Sequence, residues 1–268
     1  PYGNGCYQMT VLLPKAGKSI SEVMKEMDAD KLQKLSNDMD RCQVDLKFPK
    51  FMNPLHFTKI YLASQSPRRA ELLKQIGVPF EVVLPHDAAA AERLEIPLPD
   101  ENPVDYVQRV CLAKAHMMQA QITNNPKFAD RMYPILCADT TVVFDNCILG
   151  KPEDAAHAAQ MLRMLSGNTH EVYTAVALAS TQGIEQTLVR STVRFHPLSE
   201  SDIQAYIASG EPFGKAGAYA IQGYGACWVA HLSGSFSAVK GLPIFEVAQL
   251  LRRVAQSNVG YNEPLKTH

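Results

Sequence analysis

The sequence predicts an α/β protein with a mixed sheet, and three observations carry that expectation. From residue 58 onward, short apolar runs of strand length alternate with longer stretches whose apolar residues recur at helical spacing. The longer stretches open on capping residues such as Ser66 and Ser199 and stop at glycines, Gly77, Gly167 and Gly210. The pair Asp145-Asn146, set between apolar runs at 142–144 and 147–149, reads as a hairpin turn and requires an antiparallel pair in the sheet.

Taken in order, residues 60–63 read as a short buried strand, with Ser66 as an N-cap and Pro67 as the first helical residue. That helix carries Leu72, Leu73 and Ile76 and ends at Gly77. Residues 103–121 form a helix with Val107, Val110 and residues 113–115 turned inward, and 135–138 a buried strand. After the hairpin, 153–165 is a helix, and 172–179 and 187–195 are strands. Ser199-Glu-Ser-Asp202 caps a helix ending at Gly210, and 226–232 reads as a strand. Gly241-Leu-Pro243 opens the last helix, which carries Val247, Leu250 and Leu251.

The first fifty residues have another character. Residues 6–14 read as a strand, and Ser19-Ile-Ser-Glu22 is a capping box leading into Ile20, Val23, Met24 and Met27. A second short helix carries Leu32, Leu35 and Met39, and Val44, Leu46 and Phe48 alternate with polar residues as a strand. A unit of this size holds only a marginal core alone. The expected organisation is residues 1–54, residues 55–256 as the main domain, and a tail at 257–268.

Composition narrows the function classes. The chain has 268 residues, 46% of them hydrophobic, enough for a large core. A formal net charge of −1 argues against a nucleic-acid polymer or an anionic membrane as main partner, so any anion site must be local. The longest apolar runs, such as 175–179, fall far short of a membrane span, and no basic-then-apolar leader opens the sequence. A soluble, cytoplasmic protein is expected. Six cysteines lie far apart without a CxxC pair, which points to reduced, mostly buried thiols.

The chemistry starts at Arg68-Arg69. Both arginines fall in the first turn of a helix, where the macrodipole is positive, so each gives up about 0.3–1 kcal/mol unless an anion lies beside it. A strand, a small polar loop and a helix N-terminus with two guanidinium forks make a phosphate cradle, although an isolated Arg-Arg pair also arises by accident. Asp139 follows the apolar run 135–138 and is expected at the carboxyl end of a strand, where it can take a proton from water or hold Mg²⁺. An Asp-Thr pair can also simply satisfy a turn. Lys151 lies between Gly150 and Pro152, a tight geometry for an ammonium, and Lys114 lies on an otherwise apolar helix face. With the two arginines, these lysines would oppose a triphosphate charge for charge.

Four stretches, Ser64-Gln-Ser-Pro-Arg-Arg69, Ala138-Asp139-Thr140, Gly150-Lys151-Pro152 and Lys215-Ala-Gly-Ala-Tyr-Ala-Ile-Gln-Gly223, together resemble the Maf family of nucleoside triphosphate pyrophosphatases. The resemblance spans about residues 58–253 and includes Leu162-Arg-Met-Leu-Ser-Gly167, His170 and Gly241-Leu-Pro243. It implies a mixed twisted sheet with a nucleotide-binding cleft, related to the inosine triphosphate pyrophosphatases. It also implies cleavage between the α and β phosphates with a divalent cation, Mg²⁺ or Mn²⁺, and a homodimer. Asp139 is implied as proton acceptor, and Ser64, Arg68, Arg69, Lys114, Thr140, Lys151 and Gln222 as substrate contacts. Within the family, Arg68, Thr140 and Gln222 match the branch acting on dTTP and UTP, and the marks of the 7-methyl-GTP branch are absent.

Two departures stand out. Where many members carry an acidic pair after the Phe-Glu-Val strand, this chain has His86-Asp-Ala-Ala-Ala-Ala91, leaving Asp87 and Glu92 as substitutes, with Asp87 beside Asp139 as metal ligand. Lys240 replaces a small or apolar residue before Gly241-Leu-Pro243. The altered acidic segment leaves open a catalytically silent nucleotide-binding protein. His170 and His231 read as structural.

The opening segment resembles an internal piece of a serpin, on Tyr2-Gly-Asn-Gly-Cys-Tyr-Gln-Met-Thr-Val-Leu-Leu-Pro-Lys and Val44-Asp-Leu-Lys-Phe-Pro-Lys50. That resemblance ends near residue 51 and has no reactive-centre loop, so protease inhibition is not expected. The segment is expected to be a non-functional remnant of a fusion or assembly join, in keeping with a first residue other than methionine.

Overall fold

The computed structural model describes residues 57–129 and 131–259. The chain divides into two compact units, Pro1–Met52 and Asn53–His268. The serpin-like segment lies outside the described residues. So does the tail from residue 260, while residues 257–259 continue the last helix.

In chain order the elements are β1 (Ile60–Leu62), α1 (Pro67–Gln75), β2 (Phe80–Val82), α2 (Ala88–Arg93), α3 (Pro103–Thr123), β3 (Ile135–Phe144), β4 (Cys147–Leu149), α4 (Ala155–Leu165), β5 (Thr169–Ser180), β6 (Gly183–Phe195), α5 (Glu200–Ala208), β7 (Val229–Ser233), α6 (Phe236–Lys240) and α7 (Ile244–Val259). Single 3₁₀ turns lie at Pro126–Phe128, Ala216–Ala218 and Tyr224–Trp228. The strands form one mixed sheet in the order β2-β1-β3-β5-β6-β7, with β4 also paired to β3. β1 runs parallel to both β2 and β3, and the remaining pairs are antiparallel.

Alternation along the strands sorts the core onto two faces. On one face Tyr61, Ile135, Cys137, Ala175 and Ala177 pack under α3 through Val107, Val110 and Ala115. On the other, Ile60, Leu62, Leu136, Ala138 and Val176 pack against Leu72 and Leu73 of α1 and Val247, Leu250 and Leu251 of α7. A third cluster joins Leu162 and Leu165 of α4 to Ile203 and Ile207 of α5, around Val193 and Phe195.

The placement of the site follows from strand register. Along one edge of β3, β1 pairs only as far as Leu62 with Leu136, and β4 begins pairing only at Val142 with Leu149. Residues 138–141 of that edge have no strand beside them among the described residues, while the opposite edge is held by β5 throughout. A cleft opens in that gap, with the β1–α1 loop on one side and the segment after β4 on the other.

Several expectations change. The runs 135–138 and 142–144 belong to one ten-residue strand, because β5 pairs with β3 across the polar residues between them. Asp139 is therefore in mid-strand rather than at a strand end, although it does lie just past the end of the parallel β1–β3 pairing. Residues 226–228 are not strand: Glu211 accepts the N–H groups of Tyr224 and Gly225, curling the chain into a 3₁₀ turn, and β7 begins only at Val229. Two short helices, α2 and α6, were not expected; Asp87 and Ser235 cap them by accepting N–H bonds from Ala90 and Ala238. Among the described cysteines, Cys111 and Cys137 are buried thiols, but Cys147 and Cys227 are exposed. No helix among the described residues is long and apolar enough to cross a membrane.

Candidate active site

The gap in β3 opens into a cavity of about 710 Å³ whose wall includes Ser64, Arg68, Arg69, Asp139, Lys151 and Gln222. Lys114 and Thr140 line it too, so the structure gathers all the expected substrate contacts in one place.

α1 forms as the capping pattern predicts, with Ser66 at the N-cap and Pro67 first, but the Ser66 side chain makes no cap bond. Ser64 takes over locally: its Oγ accepts the Ser66 N–H and the Arg69 Nη1, each at 3.1 Å. Arg69 Nε donates to the Gly241 carbonyl at 2.8 Å, so its fork is fixed at the head of α1. The first turn of α1 has no acidic residue. Arg68 makes no hydrogen bond or ion pair among the described residues, and burial, with Arg69 beside it, lowers its pKa. Lys215 joins the two arginines on the cavity wall, anchored through its Nζ to the Glu211 carbonyl, and burial and Arg68 lower its pKa as well. Among the described residues none of these three cations forms an ion pair with a carboxylate, so together they make a positive pocket on the cavity wall.

The carboxylates and lysines of the same cavity are balanced. Asp139 shares the strand face of Cys137, which looks onto α3, and α3 presents Lys114 there. Lys114 Nζ donates to Asp139 Oδ1 and to Glu95 Oε1, both at 2.7 Å, and Lys151 Nζ donates to Glu95 Oε2 at 2.8 Å. Two carboxylates and two ammonium groups thus form one chain, and pairing is what allows charge to be buried here. Burial pushes the Asp139 carboxyl up, with Lys114 opposing. Burial also works against ionised Glu95, but Lys114 and Lys151 outweigh it and hold that carboxyl down at about 2. Lys114 is itself raised, since its two carboxylates outweigh its desolvation.

A Maf-like protein family model matches residues 59–254. The chain belongs to the Maf-like family. It is 54% identical over 197 residues to a dTTP/UTP pyrophosphatase of Ralstonia nicotianae, covering 73% of this chain and 94% of that protein. A dTTP/UTP pyrophosphatase of Cupriavidus pinatubonensis is 50% identical over 194 residues, covering 72% of this chain and 96% of that protein. One from Burkholderia lata is 50% identical over 206 residues, covering 76% and 97%.

The structure places Asp87 away from the other expected site residues. Asp87 is not on the cavity wall: its Oδ1 accepts the Ala90 N–H at 2.8 Å as the cap of α2, and its other oxygen faces Arg93 at 3.7 Å. Glu92 reaches the wall, but the carboxylate set against Lys114 is Glu95. No local pattern marks Glu95, because its partners come from α3 and from beyond β4. Lys215 was also missed as a site residue, though it opens one of the four motif stretches. No group of three or more metal-ligating side chains occurs among the described residues. Lys240 is a tether: it pairs with Glu71 of α1 at 2.8 Å, beside the Gly241 carbonyl that holds Arg69. His170 is structural, buried with its Nε2 2.9 Å from the Tyr219 hydroxyl and its pKa lowered by burial to about 4.

Proposed function

We propose that the chain hydrolyses dTTP and UTP between the α and β phosphates, releasing the nucleoside monophosphate and pyrophosphate. The observation that carries this reading is the division of charge in a single cavity. Three cations without carboxylate partners among the described residues, Arg68, Arg69 and Lys215, stand beside the balanced chain Asp139–Lys114–Glu95–Lys151. The names and high identity of the relatives support the same reaction and the same pyrimidine nucleotides.

The triphosphate lies with its β and γ phosphates against the positive pocket, where the guanidinium forks take up the charge that builds on the leaving pyrophosphate. Asp139 accepts the proton of the water that attacks the α phosphorus. Its buried position raises its affinity for that proton, and the bond from Lys114 favours the ionised form against that burial. Asp139 and Glu95 would hold a divalent cation, Mg²⁺ or Mn²⁺, with substrate phosphates completing its shell, in place of the lysines that take Asp139 Oδ1 and both Glu95 oxygens. When bound, the cation neutralises phosphate charge. Gln222 offers both a donor and an acceptor to a pyrimidine edge, and Thr140 and Arg68 complete the selection. The homodimer and the cytoplasmic setting belong to the same reading. Against the silent-binder alternative stands Glu95, a carboxylate beside Lys114 and Asp139 where Asp87 of the altered segment is not.

The test is incubation of the full chain with a nucleotide panel and Mg²⁺, with products identified. Monophosphate and pyrophosphate from dTTP and UTP are expected. Orthophosphate alone would overturn the reaction, tight binding of a non-hydrolysable triphosphate without turnover would favour the silent binder, and a preference for 7-methyl-GTP would overturn only the substrate.

A further inference from the structure

Two residues that do not line the cavity are hydrogen-bonded to the backbone of a segment that does. Tyr206, buried on α5, donates from its hydroxyl to Glu211 Oε1 at 2.7 Å and accepts the Ala220 N–H at 3.1 Å. The Glu211 carboxylate then accepts the N–H groups of Tyr224 at 3.1 Å and Gly225 at 3.3 Å. These three amides bracket Gln222, two residues before it and two and three after. Gly223 fits against the same carboxylate so closely that an added Cβ would come within 2.3 Å of it. The Glu211 carbonyl also holds the Lys215 ammonium. Gln222 and Lys215 face the cavity, whereas neither Tyr206 nor Glu211 does.

We infer that Tyr206 and Glu211 are positioning residues for nucleobase selection, setting the Gln222 side chain in the cavity through the backbone on either side of it. The inference rests on the reading of Gln222 proposed above. A carboxylate suits the task because it accepts several N–H bonds at once, and the tyrosine hydroxyl both donates and accepts, so one relay fixes both flanks of Gln222. If the relay served stability alone, its loss would lower the melting temperature without altering the choice among nucleotides.

The test is steady-state kinetics of the full chain and its Tyr206→Phe, Glu211→Gln and Gln222→Ala variants with dTTP, UTP, CTP and dGTP, beside amide hydrogen exchange of residues 220–225. Tyr206→Phe keeps the ring against Trp228 and removes only the hydroxyl. It is expected to raise KM for dTTP and UTP by about tenfold, the equivalent of one hydrogen bond, and more than it lowers kcat. Its preference over CTP should shrink in the same direction as that of Gln222→Ala, with faster exchange at 220–225. Glu211→Gln keeps one oxygen acceptor and should fall between wild type and Tyr206→Phe. If Gln222→Ala shifts the preference and Tyr206→Phe does not, the inference fails while the reading of Gln222 stands. If Gln222→Ala leaves the preference unchanged, that reading fails and takes the inference with it.

Discussion

At Lys114 a single ammonium holds two carboxylates, Asp139 and Glu95, and Lys151 holds Glu95 from its other oxygen. Removing one member leaves a buried partner without compensation, so each substitution has its own signature. Asp139→Asn keeps the shape and removes the proton acceptor; kcat should fall by about 10³-fold with triphosphate binding largely retained, checked by turnover and calorimetry. Burial already raises the Asp139 pKa against the pull of Lys114. Lys114→Met should raise it further, moving the acid limb of kcat/KM to higher pH, and a limb that stays in place would remove Lys114 from this role. Glu95 behaves oppositely: its pKa falls from 4.5 to about 2 on folding, because the two lysines outweigh its burial. Its contribution to stability is therefore complete above pH 4.5 and lost as pH falls toward 2. Denaturant midpoints of Glu95→Gln should change less with pH across that window than those of the parent chain.

At the scale of elements, the cleft depends on β3 being paired on one edge and bare in the middle of the other. The segment carrying Lys215 and Gln222 is fastened to the far side of the gap at Gly217, whose N–H donates to the Gly150 carbonyl at 3.0 Å. Gly217 has φ +67°, and a Cβ there would come within 2.9 Å of Val142 Cγ1. Alanine at this position meets both the left-handed backbone and a buried valine at the start of the β3–β4 pairing. Gly217→Ala should cost about 2–4 kcal/mol of stability by denaturant unfolding, from backbone strain plus overpacking, with a rise in KM. An unchanged midpoint would show that the loop yields without disturbing the strands.

At the scale of the molecule, every hydrophobic cluster among the described residues and every residue assigned to the site falls between residues 57 and 254, and the family match spans residues 59–254. A protein beginning at Leu55 keeps Phe57, which packs on the cluster beneath α1 and α7. We propose that residues 1–54 are dispensable: the shortened protein should fold, hydrolyse dTTP at least as well as the full chain, and aggregate less, since a segment whose sequence alternates apolar residues such as Val44, Leu46 and Phe48 with polar ones is removed. Calorimetric melting and a turnover assay check this. A fall of many degrees or a loss of activity would make the segment an integral part of the enzyme.

What the sequence alone determined is local. Ser66, Pro67 and Gly77 mark the ends of α1, which places Arg68 and Arg69 in its first turn, and Asp145-Asn146 marks the hairpin, where φ is +48° and +63°. The four motif stretches carried the family and most of the expected contacts that the fold brings to one cavity, because each keeps its chemistry within a few residues. The tertiary structure alone decided that Glu95, rather than Asp87, meets Lys114 beside Asp139, since its bonds reach 19 residues to Lys114 and 56 to Lys151. It also decided that β3 runs unbroken through Asp139, because pairing with β5 outweighs the polar interruption that reads as a strand end. Capping and periodicity are written into neighbouring residues, whereas charge pairing and strand pairing depend on the path the chain takes between distant ones.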